Sequence, residues 1–157
     1  MAKTPAQGLL VTDTTIEVLA LKVAAGKYRI SSYGWSQLPK GVVGGGKVIN
    51  SRALAGEIKK LMATVRPKLN LGPVVLGLPQ AYVFLKVFAL PKFEGKDLEE
   101  AIGWHMESLS PVIPENTYTS YEVVGESGDK QILVIVAAVQ KEIVDAYVEA
   151  VSLAGVE

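Results

Sequence analysis

Cysteine is absent from the 157 residues, which excludes a disulfide framework, a thiolate nucleophile and any zinc site built on sulfur. Histidine occurs once, as His105, so no second imidazole is present to complete a histidine metal site. Aromatic residues make up only 7%, and the basic residues are scattered with no nucleic-acid-binding motif that interleaves aromatics with them, so nucleic acid is not expected as a partner. The longest unbroken apolar run, Ile132 to Val139, has eight residues. A bilayer-spanning helix needs about 20. The opening MAKTPAQ leads straight into a strand-like segment, and no secretory leader is expected. What the chain does have is apolar mass: 49% hydrophobic residues and a mean hydropathy of +0.28, enough to bury a core in one domain or two small subdomains.

Total charge is balanced, with 16 basic and 16 acidic residues, but its distribution is not. Residues 1–92 carry 13 Lys/Arg against 3 Asp/Glu, and residues 93–157 carry 3 against 13, a net of +10 followed by −10. Halves of opposite sign attract one another within a chain or pack head to tail between copies. The alternative is two separately solvated faces. The sign change near residue 90 also suggests a subdomain boundary.

Hydrophobic periodicity supplies the elements. Gly8–Thr12 reads as a strand, Asp13-Thr14 as a turn, and Thr15–Val23 and Tyr28–Leu38 as strands around a Gly-containing hairpin loop, Ala24–Lys27. Gly41–Gly46 reads as a loop. Asn50 is a good N-cap, and Leu54, Ile58, Leu61, Met62 and Val65 recur at helical spacing, which predicts a helix over Ser51–Arg66 stopped by Pro67. Pro73–Leu78 is a short buried strand, completing β-β-β-α-β. Ala81–Leu90 reads as a ten-residue strand, and Leu98, Ala101, Ile102, His105, Met106 and Leu109 as one face of a helix from Asp97 to Leu109. Ser110-Pro111-Val112-Ile113-Pro114 breaks that helix. Tyr118–Val124 and Gln131–Val139 flank a turn-rich loop, Gly125–Asp129, and a last helix runs from Lys141 to about Leu153 with Gly155 as its C′ residue. The second part is β-α-β-β-α.

No constellation for catalysis is visible. Glu99, Glu100 and Glu107 read as a solvated helix face, His105 as a half-buried packing residue, and the serines lack the context of an activated nucleophile. Gly44-Gly45-Gly46-Lys47 lacks the spacing of a phosphate-binding P-loop and reads as an ordinary loop. A hydroxyl-rich turn such as Thr12-Asp13-Thr14-Thr15 can present N–H groups and hydroxyls to a phosphate, or serve only as a hairpin turn. Clustering of Lys59, Lys60, Arg66 and Lys68 on one patch would make the basic half a membrane-surface binder.

Several strings carry a family resemblance: LLVTDTTIEVLALK, KYRISSYGWSQLPKGVV, PVVLGLPQAYVFLKVFALP, KDLEEAIGWHMESLSPVIPENTYTSYEVVGE and QILVIVAAVQKEIVDAYVEAVSLAGVE. In order and spacing these resemble the N-terminal part of the PilM family, actin-like cytoplasmic proteins of type IV pilus assembly. Trp104, Glu107 and Pro111 match a family pattern of an acidic helix before a proline. Gln140-Lys141-Glu142-Ile143-Val144-Asp145-Ala146-Tyr147 matches a strand running into a helix start. The cytoplasmic domain of the type II secretion L protein and the cell-division protein FtsA share the architecture and remain alternatives, as does a fragment of an actin-fold ATPase or sugar kinase.

The resemblance implies a mixed α/β (α+β) chain. Residues 1–79 would form a ribonuclease-H-like actin subdomain, 1A, and residues 80–157 an SHS2-type subdomain, 1C. It also implies a truncated N-terminal fragment, since a second lobe would be needed to close a nucleotide cleft. The family's first hairpin touches phosphate and magnesium through an Asp, a Gly and hydroxyl residues. Here Leu10 stands at the Asp position, Thr12 at the Gly position, and Asp13, Thr14 and Thr15 in the turn, so the loop is expected to be degenerate. Leu cannot organise a hydrated cation, and Thr resists the conformations Gly permits. No cofactor is expected for this chain; ATP and Mg would belong to a longer parent. The implied function is that of a cytoplasmic adaptor, peripheral to the bacterial inner membrane. It would hold the cytoplasmic tail of a PilN-like membrane protein in a groove between the subdomains and link it to motor ATPases. Val83, Leu85, Val87, Ile102 and Met106 are the candidate groove residues, with core packing as the competing explanation.

Overall fold

The computed structural model describes residues 7–69, 73–93, 95–108, 116–128 and 130–156. The chain divides into two units, Met1–Pro79 with Glu142–Glu157, and Gln80–Lys141.

In the first unit, β1 (Gln7–Val11), β2 (Thr15–Ala24) and β3 (Lys27–Gln37) form an antiparallel meander. The two-residue loop between β2 and β3 uses Ala25 and Gly26, both at positive φ (51° and 72°), which suits the twist of a tight hairpin. A small hairpin, β4 (Val43–Gly44) and β5 (Lys47–Val48), leads to α1 (Ser51–Thr64), and β6 (Val74–Gly77) returns parallel to β1. The sheet order is β3-β2-β1-β6. Alternation decides which face is covered. Leu9, Val11, Ile16, Val18 and Ala20 are buried, as are Leu54, Ala55, Ile58, Leu61 and Met62 of α1, while Leu10, Tyr33 and Trp35 on the other face are exposed. Gly34 sits under α1: a Cβ there would collide with Val65 and press on Leu61 and Val18. Asn50 caps α1 by accepting the Ala53 N–H at 3.0 Å.

In the second unit, β7 (Phe84–Pro91), α2 (Lys96–Ser108), β8 (Thr117–Glu126) and β9 (Gln131–Gln140) form an antiparallel sheet of order β7-β9-β8 with a helix on one face. Its core is Leu90, Ile132, Val134 and Val136 beneath Leu98 and Ile102, with Phe88, Ala101 and Met106 packed around them. β9 lies centrally; its even-numbered residues Ile132, Val134 and Val136 are buried beneath α2, and the odd-numbered ones between them are half-buried on the other face.

This is the mixed α/β fold expected, with three corrections. The apolar run from Ala81 is not one strand. Gln80–Tyr82 forms a 3-10 turn closed by Val83 N–H donating to the Gln80 carbonyl at 3.0 Å, and the strand begins at Phe84. An apolar run reports burial, and after Pro79 the chain must first turn. The glycine-rich stretch Gly41–Gly46 is not a plain loop: Gly45 and Gly46, at φ 56° and 66°, make the two-residue turn between β4 and β5, and Val42 and Val43 are buried.

The largest correction concerns α3 (Lys141–Leu153), which was expected to complete the second unit. It belongs with the first from Glu142 onward. Tyr147 is fully buried and its hydroxyl donates to the Gly46 carbonyl at 3.1 Å, and the Lys47 ammonium pairs with Glu142 at 2.7 Å. A buried phenol needs an acceptor, and the β4–β5 turn supplies it. The second unit is therefore β-α-β-β. The C-terminus of α3 is closed by Gly155 (φ 77°), with Val156 N–H donating to Val151 and Gly155 N–H to Ser152. The helix break at residues 110–114, Leu109 and Asp129 lie outside the described residues.

Reassigning α3 changes the electrostatics. The first unit has 11 basic and 7 acidic residues and the second 5 and 9, so the contrast falls from +10 against −10 to +4 against −4.

Candidate functional site

Two groups of residues were singled out by the sequence. The first is the turn after β1. Leu10 points away from α1 and is 38% exposed. Thr12 closes the turn on itself: its hydroxyl accepts the N–H of Thr15 at 3.0 Å and of Thr14 at 3.3 Å, and lies 2.8 Å from the Thr15 hydroxyl. These hydroxyls are turn-forming groups satisfied within four residues.

Asp13 does something the sequence did not suggest. Its carboxylate accepts the Gly45 N–H at 2.9 Å and the Gly46 N–H at 2.8 Å. Two successive N–H groups from left-handed glycines form a concave anion cradle. Here the anion is the protein's own side chain, and the pair of charge-assisted bonds ties the β1–β2 turn to the β4–β5 turn. The stretch Gly44–Lys47 thus has an anion-binding turn with an internal occupant. The sequence held no local signal for this pairing, because its partners lie 32 and 33 residues apart. Among the described residues no three Asp, Glu or His side chains converge as a metal-binding group.

The second group is the five groove candidates, and the structure does not bring them together. Leu85 and Val87 share one face of β7 and are 42% and 51% exposed, with half-buried Val83 just before the strand. The register pairs Phe88 with Val134 and Leu90 with Ile132, so the even-numbered residues of β7 face α2. Ile102 and Met106 lie on that opposite face. Ile102 is a core residue, 6% exposed, and Met106 packs beside it.

The second unit carries three shallow recesses. Leu85, Ser120, Glu122, Ile135 and Ala137 line one of about 250 Å³ on the face away from α2. Ile102, Gly103, Met106, Thr119 and Tyr121 line another of about 300 Å³ between α2 and β8. The third, about 370 Å³, lies between α2 and β7, and Trp104, which is 70% exposed, stands in its wall. Sequence reasoning noted Trp104 only as a family match. His105 is exposed rather than half-buried, with its ring stacked on Phe88 at 4.7 Å between centroids. In the basic group, Lys60 pairs with Glu57 at 2.6 Å and Arg66 bonds the carbonyls of Ala63 and Val65, so two of the four cations already have partners.

The profile of a known family, the type IV pilus assembly protein PilM, matches residues 8–157. The chain belongs to the PilM family. Among solved structures it resembles a chain of a PilM-PilN type IV pilus biogenesis complex at 26% identity and a TM-score of 0.83, covering 98% of this chain and 46% of that one. It also resembles the cytoplasmic domain of EpsL, an inner-membrane component of the type II secretion system of Vibrio cholerae, at 14% identity and a TM-score of 0.54, covering 98% and 54%. At that identity the EpsL likeness shows the fold alone. The chain thus spans about half the length of each solved chain it matches. Of the PilM-family pattern, Trp104 and Glu107 lie on α2, Pro111 lies outside the described residues, and Gln140 passes directly into α3 at Lys141. No helix among the described residues is long and apolar enough to cross a membrane.

Proposed function

We propose that this chain acts in type IV pilus assembly as an adaptor that binds the cytoplasmic tail of a PilN-like inner-membrane protein and links it to the motor ATPases, at the cytoplasmic face of that membrane. The observation that carries the reading is the family match over residues 8–157, supported by the likeness to a chain of a PilM-PilN complex over 98% of this sequence. An adaptor of this kind needs exposed apolar recesses and polar groups that a peptide can satisfy, and the second unit supplies both.

The reading is non-enzymatic and without a cofactor. Leu10 stands where the resemblance implies a cation-organising carboxylate, and the Gly45–Gly46 N–H pair is already taken by the Asp13 carboxylate. Head-to-tail self-association through opposed charge is a companion reading resting on the remaining +4 against −4, and sedimentation at low and high salt tests it.

The deciding experiment titrates the chain with a labelled tail peptide from the PilN-like protein of the same assembly system. Saturable binding at micromolar Kd or tighter is expected. Absence of binding by folded protein overturns the adaptor reading, and nucleotide-dependent thermal stabilisation overturns the non-enzymatic part.

A further inference from the structure

The first unit carries a recess of its own, about 290 Å³, at the end of the sheet where β1 begins. The register sets Gln7 of β1 opposite Ala20 of β2, and Ala20 opposite Ser32 of β3, and all three residues line the recess. Regular alternation would send neighbouring side chains of β3 to opposite faces. Here the register shifts: Ala20 pairs with Ser32 but Leu21 with Ile30, which leaves Ser31 as the extra residue of a β-bulge. A bulge re-aims a side chain, and Ser31 and Ser32 both line the recess. Each hydroxyl gives its proton to a backbone carbonyl, Ser31 to Ala20 at 3.0 Å and Ser32 to Pro67 at 2.9 Å, so both have only oxygen lone pairs left to offer. Gln7 is 4% exposed, and its side-chain carbonyl Oε1 has no hydrogen-bond partner among the described residues. A buried acceptor left unmet works against folding. Lys22 and Lys68 complete the polar lining; both are exposed, and neither forms an ion pair among the described residues.

We propose that this recess binds a small polyol phosphate. Hydroxyls of the ligand donate to Gln7 Oε1 and to the Ser31 and Ser32 oxygens, and its phosphate pairs with the Lys22 and Lys68 ammonium groups. The unmet acceptor argues against a bare oxyanion, which would bring more lone pairs to a surface already rich in them. The two lysines argue against a cation or a neutral sugar. A ligand with donors at one end and negative charge at the other answers both. At about 290 Å³ the recess is at the small end of ligand pockets, which suits glycerol phosphate better than a nucleotide. It is separate from the Thr12–Thr15 turn, which lies beyond the other end of β1, and independent of the adaptor reading.

The test titrates the full chain with glycerol phosphate in a calorimeter, and saturable binding with a Kd of about 1 mM or tighter is expected. Glycerol and inorganic phosphate are each expected to bind at least about tenfold more weakly. Gln7→Leu removes the unmet acceptor at similar volume, so it is expected to keep or raise the melting temperature while weakening binding about tenfold or more. The double variant Lys22→Ala, Lys68→Ala is expected to weaken it comparably at low salt and to flatten its salt dependence. Vesicles of phosphatidylglycerol present the same glycerol phosphate as a headgroup. Gln7-dependent binding to them alone assigns the ligand to lipid, and Gln7-dependent binding to the free compound assigns it to solution. Inorganic phosphate binding as tightly as glycerol phosphate overturns the polyol assignment. Absence of saturable binding to either form, or binding that Gln7→Leu leaves unchanged, overturns the site and leaves water as the partner of Gln7 Oε1.

Discussion

The turns of the first unit and the α2 face of the second treat their polar residues in opposite ways. In the first, groups that look like a ligand site are turned inward on one another: Asp13 on the N–H pair of Gly45 and Gly46, Thr12 on Thr15, Tyr147 on the Gly46 carbonyl. In the second, Asp97 and Glu100 have no ion-pair partner among the described residues, and Trp104 stands in solvent. A cluster of hydroxyls, glycines and a carboxylate is therefore poor evidence of a ligand when the cluster satisfies itself. Unmet polar groups beside uncovered aromatic surface point outward, toward a partner.

Substitutions sharpen this contrast, and the largest effects belong to the first unit. Tyr147→Ala removes a fully buried ring and its hydrogen bond, and is expected to cost about 3–5 kcal/mol in chemical denaturation. A loss under 1 kcal/mol would mean that α3 is only loosely held to the first unit. Gly34→Ala forces a methyl against Val65 beneath α1, with an expected loss of about 1–3 kcal/mol. Asp13→Ala leaves two turn N–H groups to water and is expected to cost about 1 kcal/mol, read as a small drop in midpoint and faster exchange at Gly45 and Gly46. An unchanged exchange rate at those two amides would show that the cradle is not formed in solution. Smallest is Lys47→Ala: the pair with Glu142 is more than half exposed on both sides, so the change is expected to stay below about 0.5 kcal/mol.

Local patterns were legible and remote pairings were not. The β-branched and aliphatic content of Thr15–Val23 and the helical spacing over Leu54–Val65 revealed β2 and α1 because both depend on neighbours a few residues away. The Asn50 cap and the Gly155 terminus were equally local. The Asp13 cradle joins residues 32 and 33 apart and the Tyr147 bond residues 101 apart, and nothing in a window of sequence reports either. The groove candidates failed for a subtler reason. Parity in the expected strand put Val83, Leu85 and Val87 on one face, yet parity alone does not say which face α2 covers; the helix took the even one, and Val83 falls before β7. Trp104 looks in sequence like any helix residue beside an apolar stripe; only its exposure in the wall of a recess makes it a site candidate.

The placement of α3 bears on how the chain is made. Gln80–Lys141 is contiguous, so its sheet and α2 complete during synthesis as soon as β9 leaves the ribosome. The first unit is split by that same stretch and stays open until α3 emerges, with the pocket for Tyr147 unfilled and the β4–β5 turn missing the hydroxyl that its Gly46 carbonyl accepts. Translation that stalls between residues 80 and 141 leaves the nascent N-terminal sheet with apolar surface uncovered, a state for chaperones to hold. Of the two units, the one begun first is thus the later to finish folding.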